Sequence, residues 1–496
     1  MTTFRMPSKL WRLSTLAALL VAAAAHADKQ APPPPAPPRP FALPQHQDVA
    51  LDNGARITTV PYGAVPKATI ELFIRGGASE DSAQQVWLSE LMGTSLGEGT
   101  RSRPAAQLAQ AAAAMGGDLD VTVEPDQITI AIEVLSEFAP RAIALVADVV
   151  RNPTFPPADV ARVKSDLVRR LAIARTQPQQ LAREQFAGAL YPDHPFGRVL
   201  PTEAMLQGYT VDQVRDCYAA RIGAARSHLY VAGRFDDAAV VKAARDALAD
   251  WQRGPEPQPV KPAPAAQPAV RVVDRPGAVQ STLIIGLTVP TPKSDDYVPL
   301  LVTDALLGGS FGSRITSNIR EQKGYTYSPF SAVRALEANA SWSEQADVTT
   351  NVTGASLTEI VKEISRLRAE APSADELRGI QSYLAGVFVL RNSTRQGIIR
   401  QLAFLETHQL TDDYLRNFAQ RVWAIKPADV QRVATTYLDP KKMTIAVVGD
   451  RKQIDAQLTP WTEDGEPGTA KPGTAKPGTA KPGTAKPKTA PAPKTR

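Results

Sequence analysis

The chain has 496 residues, 43% of them apolar, with five histidines and one cysteine. Its formal charge of +6 belongs to its ends: three cations in the leader and seven in the tail, removed from that total, leave a body of about −4. The basic balance therefore gives no argument for a nucleic-acid groove. One cysteine cannot form an internal disulfide, so core burial must hold the fold.

Taken in chain order, Arg5, Lys9 and Arg12 precede an uncharged apolar run, Leu13 to Ala25, and the small residues of Ala25-His26-Ala27. This order predicts a secretory signal peptide over residues 1–27, with an uncleaved membrane anchor as the alternative. The run is shorter than the roughly 20 apolar residues of a spanning helix. The expected location is outside the cytoplasm, in the periplasm if the source is Gram-negative. A proline-rich spacer over 28–44 then leads into the body.

The body is expected to hold two lobes, 45–254 and 269–461, joined by the proline-rich linker 255–268. The two flanks end alike. A helix opening at Val211 leads to the strand Leu229 to Gly233, and one opening at Pro427 leads to Ile445 to Gly449. Val214 to Gly233 and Val430 to Gly449 have the same spacing, which argues for an internal duplication. Strands are expected at Ala68 to Ile74, Gln127 to Val134, Thr282 to Val289 and Ala346 to Val352. Helices are expected at Ala158 to Arg175, Pro178 to Leu190, Ala374 to Leu390 and Thr394 to His408. Strands interrupted by pairs of long helices indicate an α+β fold: two homologous lobes, each a mainly antiparallel sheet covered by helices, together forming a clamshell. Residues 462–496 carry a Lys-Pro-Gly-Thr-Ala repeat too rich in proline and glycine to build a core. A weak contact of this basic tail with anionic envelope polymers is one expectation, a solubilising arm the other.

No familiar catalytic constellation stands out. His46, His194, His228 and His408 are far apart in sequence, and no Gly-x-Ser-x-Gly, phosphate loop or Cys-x-x-Cys occurs. Cys217 in its helical pattern reads as a structural thiol, and His194 as a histidine in a capped turn.

The segment Gly308 to Ser331 stands apart: a glycine-rich turn, an amphipathic helix and an aromatic strand. Ser313-Arg314-Ile315, Arg320-Glu321 and Gly324-Tyr325-Thr326-Tyr327-Ser328 closely resemble a signature of the pitrilysin and insulinase type zinc peptidases, which include the mitochondrial processing peptidase. Leu190 to Gly197 (LYPDHPFG) and Val447 to Asp450 fit the same family. The resemblance implies His-x-x-Glu-His on a first-lobe helix shortly before a Gly-Thr pair. Counting back from Gly99-Thr100 puts those positions at Glu90, Gly93 and Thr94, and none is kept. The third ligand would fall near Arg169 or Arg170, where a cation repels zinc. The first lobe thus has no expected metal site, and Glu90 reads as a helix-surface residue.

The second lobe keeps the arginine and tyrosine that reach substrate in active members, at Arg320 and Tyr327. A guanidinium can grip a peptide carbonyl, and a phenol can donate to a developing oxyanion. Without the resemblance these would read as a solvated arginine and a strand tyrosine. Gly308, Gly309, Ser310 and Phe311 are the expected substrate-binding turn. The resemblance therefore implies a chain without its own cofactor that serves a homologous, zinc-bearing partner on a peptide substrate. A peptide-binding or scaffold protein of the envelope, and a self-sufficient enzyme with an unrecognised site, are the alternatives.

Overall fold

The computed structural model describes residues 41–257, 262–265 and 267–462. The signal-peptide and repeat-tail expectations fall outside these residues. Among the described residues no helix is long and apolar enough to cross a membrane.

The first lobe contains strands β1 (Gln47–Ala50), β2 (Arg56–Pro61), β3 (Lys67–Arg75), β4 (Leu119–Val123), β5 (Gln127–Leu135) and β6 (Ser227–Gly233), in the order β1-β2-β6-β3-β5-β4. Its helices include α1 (Leu88–Leu96), α2 (Ala139–Arg151), α3 (Pro157–Thr176), α4 (Pro178–Leu190), α5 (Val211–Arg221) and α6 (Asp237–Leu248). The second lobe contains β7 (Val270–Asp274), β8 (Gln280–Thr288), β9 (Phe330–Leu336), β10 (Asn339–Thr349) and β11 (Thr444–Gly449), in the order β7-β11-β8-β10-β9. Its helices include α7 (Tyr297–Asp304), α8 (Thr353–Ala369), α9 (Ala374–Arg391), α10 (Arg395–Thr407), α11 (Pro427–Tyr437) and α12 (Arg451–Thr462).

Without β1, the two strand orders are the same in chain sequence: β2-β6-β3-β5-β4 matches β7-β11-β8-β10-β9. In each, only the first pair is parallel (β2 with β6, β7 with β11). The matched helix–strand units are α5–β6 and α11–β11. Thr210 caps α5, accepting from the Gln213 backbone N–H. Pro427 stands at the start of α11, where its fixed φ suits a helix and its missing N–H costs nothing.

The lobes are interlocked rather than hinged apart. Helix α4 of the first half lies on β11, β8 and β7 of the second sheet, while α10 of the second half lies on β6 and β3 of the first. Ala182, Phe186 and Leu190 of α4 pack with Ile284, Ala446 and Val448. This exchange explains why β3, β6, β8 and β11 are buried on both faces, polar residues such as Thr69 and Glu71 included. Strand β5, with one face covered, alternates.

Two expectations need correction. The strand expected at Ala346 to Val352 is β10, which begins at Asn339 and ends at Thr349; residues Thr350–Val352 form a short 3-10 turn. Its inward row, Ala340 to Val348, includes Glu344, and its other row, from Asn339 to Asp347, is polar, so the apolar signal marks only the strand's end. The aromatic strand expected around Tyr327 is a loop with one bridge, Thr326 to Val348, and β9 starts after Pro329. Gly324 at φ +64° turns the chain there, and Pro329 has no N–H to give a ladder.

Candidate functional site

The first-lobe positions come together but cannot hold zinc. Glu90 on α1 is paired with Arg170 on α3, Nη1 to Oε1 at 2.8 Å. Arg170 also lies over the Trp87 ring, 4.6 Å from its centroid. Glu90 is thus not a solvated surface residue but the anion of a fixed pair. Arg169 turns away to Asp166. Gly93 is buried, and a Cβ there would meet Val123 Cγ2 of β4 at 2.4 Å. The donor set is therefore one carboxylate already held by a guanidinium, a glycine with no room for a side chain, and the hydroxyl of Thr94. That set does not fit a zinc ion, which needs several free, deprotonated donors. No group of three or more metal-ligating side chains occurs among the described residues.

The second-lobe positions form a cluster. Arg320 Cζ lies 4.4 Å from the Phe311 ring centroid and 5.0 Å from that of Tyr327, so the guanidinium sits against two aromatic faces. Its Nε is 3.2 Å from Glu321 Oε1. The segment that carries Arg320, Thr316–Gln322, is a π-helix, as is Ala305–Gly309 before it. Such wide turns are rare and gather at functional sites.

The cluster has a firm base. Ile315 and Ile319 are fully buried, Arg314 grips Glu376 of α9 with Nε and Nη2 at 2.7 and 2.9 Å, and Asn318 donates to Glu359 and Glu363 of α8. The Tyr325 N–H donates to the Ile319 carbonyl and the Thr326 hydroxyl to that of Asp347. Between these anchors the Gly324 turn brings Tyr327 back over Arg320. Tyr327 itself is 79% exposed and Phe311 73%.

Of the four residues expected to bind substrate, only Phe311 faces Arg320. Gly308 and Gly309 lie against buried acids: a Cβ on Gly308 would meet Glu344 Oε2 at 2.3 Å, and one on Gly309 would meet Asp304 Oδ2 at 2.5 Å. Ser310 is buried. Asp304 accepts from Ser331 Oγ and Trp342 Nε1, and burial pushes its carboxyl up to about 6. Neither oxygen of the fully buried Glu344 has a hydrogen-bond partner, and burial, with Asp304 beside it, holds its pKa well above the carboxylate range.

The remaining candidates are structural. Cys217 is buried, which pushes its thiol up to about 12. His194 is buried in its turn, Nδ1 accepting from the Phe196 N–H at 3.1 Å. Sequence reasoning missed a network between the lobes. Glu406 of α10 accepts from Tyr230 at 2.6 Å, pairs with Arg56 at 2.7 Å and contacts His228 Nδ1. A histidine and a tyrosine two apart on one strand were the available signal, but their partner lies in the other half of the chain.

Residues 60–202 match the model of insulinase (peptidase family M16), and residues 208–384 match the model named peptidase M16 inactive domain. The chain belongs to peptidase family M16. It is 25% identical over 368 residues to an uncharacterised zinc protease of Mycobacterium tuberculosis, covering 73% of this chain and 82% of the relative. An uncharacterised zinc protease of Streptomyces coelicolor is 22% identical over 414 residues, covering 82% and 90%. A peptidase M16 inactive domain from Pseudomonas fluorescens shares the fold at a TM-score of 0.74 and 22% identity, over 82% of this chain and 98% of that one. A Helicobacter pylori protease does so at 0.78 and 17%, over 82% and 100%. A chain of complex III2 from Candida albicans does so at 0.69 and 13%, over 82% and 97%. This is a peptidase-like M16 chain in which the positions expected to bind zinc hold Glu90, Gly93 and Thr94.

Proposed function

We propose that the chain is the non-zinc subunit of a heteromeric M16 metallopeptidase, forming one wall of a peptide-binding chamber with a homologous partner that bears the zinc. The observation that carries this reading is one contrast. The first-lobe metal positions are closed by Glu90–Arg170 and Val123, while Tyr327 is open to solvent above a half-buried Arg320 that is anchored from below. A structural tyrosine would be covered within its own chain; this one is presented, with Arg320 held beneath it.

In this reading Arg320 holds a peptide carbonyl or carboxylate, with Phe311 limiting its side-to-side freedom. The Tyr327 hydroxyl donates to the charge that develops on the scissile carbonyl oxygen. Gly308, Gly309 and Ser310 set the path of the Phe311 turn. The zinc of the partner supplies the Lewis acid and water activation. Export to the periplasm and weak envelope contact through the basic tail complete the proposal.

A scaffold role is the second reading, favoured by the likeness to a chain of complex III2. The two are separated by recovering the chain from native extract. A co-purifying zinc-bearing homologue with peptidase activity supports the first, and its absence supports the scaffold.

A further inference from the structure

Away from Arg320 and Tyr327, a cavity of about 180 Å³ lies between the start of α1 and the far end of β9. Trp87, Phe196, Pro125 and Leu336 form apolar walls, and Arg198 and Arg334 bring two guanidiniums to the same space. Neither arginine forms an ion pair with a carboxylate among the described residues. Arg198 gives Nη1 to the Asp81 backbone carbonyl at 3.2 Å, and Arg334 feels Asp126 only through its field. The one carboxylate in the lining, Asp81, is already held by Arg221 Nη1 at 2.6 Å and by the Ser89 hydroxyl at 2.7 Å.

The aromatic wall is built at a conformational cost. Trp87 has φ +69° and ψ +15°, the left-handed region that a bulky side chain rarely adopts. Its indole N–H donates to the Val199 carbonyl at 3.0 Å, and Arg170 lies on its ring. The indole is therefore pinned, and it lines the cavity beside Phe196. Arginines crossing to an apolar wall without their own carboxylate are complementary to a group that is anionic at one end and apolar behind it.

We propose that this cavity binds the C-terminal carboxylate of a peptide whose last side chain is apolar. The carboxylate is taken by Arg198 and Arg334, and the side chain packs on Trp87 and Phe196. The site is distinct from the Arg320 cluster, because Leu336 ends β9 and Arg334 stands four residues along it from Phe330. At about 3.3 Å per residue that strand spans roughly 20 Å. The inference does not depend on a zinc-bearing partner.

The test is an intrinsic-fluorescence titration of the full chain with acetyl-Ala-Ala-Phe as the free acid and as the C-terminal amide. The acid is expected to bind at least tenfold tighter than the amide. Arg198→Ala and Arg334→Ala should each weaken the acid roughly tenfold and remove the acid–amide difference. Arg215→Ala, which deletes an exposed arginine on α5, should change nothing. Arg334→Gln, on an exposed edge-strand position, serves if an alanine variant unfolds, with the melting temperature as the check. Equal affinity for acid and amide, no saturation by either, or wild-type affinity in the arginine variants would overturn the proposal. Acetyl-phenylalanine binding as tightly as the tripeptide would overturn it too, since the cavity would then read a small free acid and not a peptide end.

Discussion

Glu90 of α1 and Arg170 of α3 meet at 2.8 Å, joining two positions at which the family resemblance implies metal ligands. The space between the helices is thus filled by a pair of opposite charge, and β4 closes over the next position at Gly93. Gly93→Ala should therefore be disfavoured despite alanine's better helix propensity, because stiff Val123 must shift. A loss of about 1–3 kcal/mol is expected, read as a lower melting temperature. A variant as stable as the parent would show that β4 is not packed on Gly93.

Tyr327→Phe separates chemistry from stability. The residue is 79% exposed, so removing its hydroxyl should leave the melting temperature unchanged. In the complex with the proposed partner the same change should lower turnover by about a hundredfold, the scale of losing one oxyanion donor. Arg320→Ala should also lower turnover, while exposing Phe311 and Tyr327 further. Unchanged turnover in both variants would remove the role assigned to the cluster.

Glu344 gives a prediction in pH. Its pKa and that of Asp304 are raised by burial, so the folded state holds protons that the unfolded chain has released. The unfolded state then binds fewer protons, and the pair's contribution falls as pH rises from the ordinary carboxylate range through about 6 and beyond. Glu344→Gln removes that titration. Its melting temperature should approach or exceed the parent's as pH rises from 5 to 8, and a constant difference across that range would contradict the account.

Glu406 has the opposite sign. Burial alone would raise its pKa, but hydrogen bonds from His228 and Tyr230 and the charge of Arg56 bring it down to about 2. Stability from the ionised carboxylate is present above the ordinary glutamate range and is lost as pH falls toward 2. Glu406→Gln should lower the melting temperature at pH 7 and weaken its dependence on pH below 5. Because Glu406 links α10 to β6, intact stability in this variant would show the contact between the lobes to be incidental.

Much of the fold was legible because its signals are local. Helix α4 begins and ends where its pattern does, and β3, β5 and β8 differ from the expected runs by a residue or two. The duplication was visible in α5–β6 and α11–β11, since capping and apolar spacing recur there. What sequence could not show is long-range. The exchange of α4 and α10 between sheets is not marked in β3, whose Thr69 and Glu71 are buried yet read as the exposed row of an alternating strand. The buried Glu344 broke the pattern of β10, because a carboxylate in an inward row looks like an outward one. At the candidate site the residue types were readable at Arg320, Tyr327 and Phe311, but their stacking was not. It depends on Gly324 and on Arg314 reaching Glu376 across the lobe.

The most direct measurement is to isolate the tagged chain with its companions from native extract, then determine zinc content and peptide cleavage for wild type and Tyr327→Phe. The expected result is zinc carried by a co-purifying M16 chain, cleavage by the wild-type complex, and a loss of about a hundredfold in the variant. Recovery of the chain without any zinc-bearing homologue, or equal cleavage by the two complexes, would contradict it.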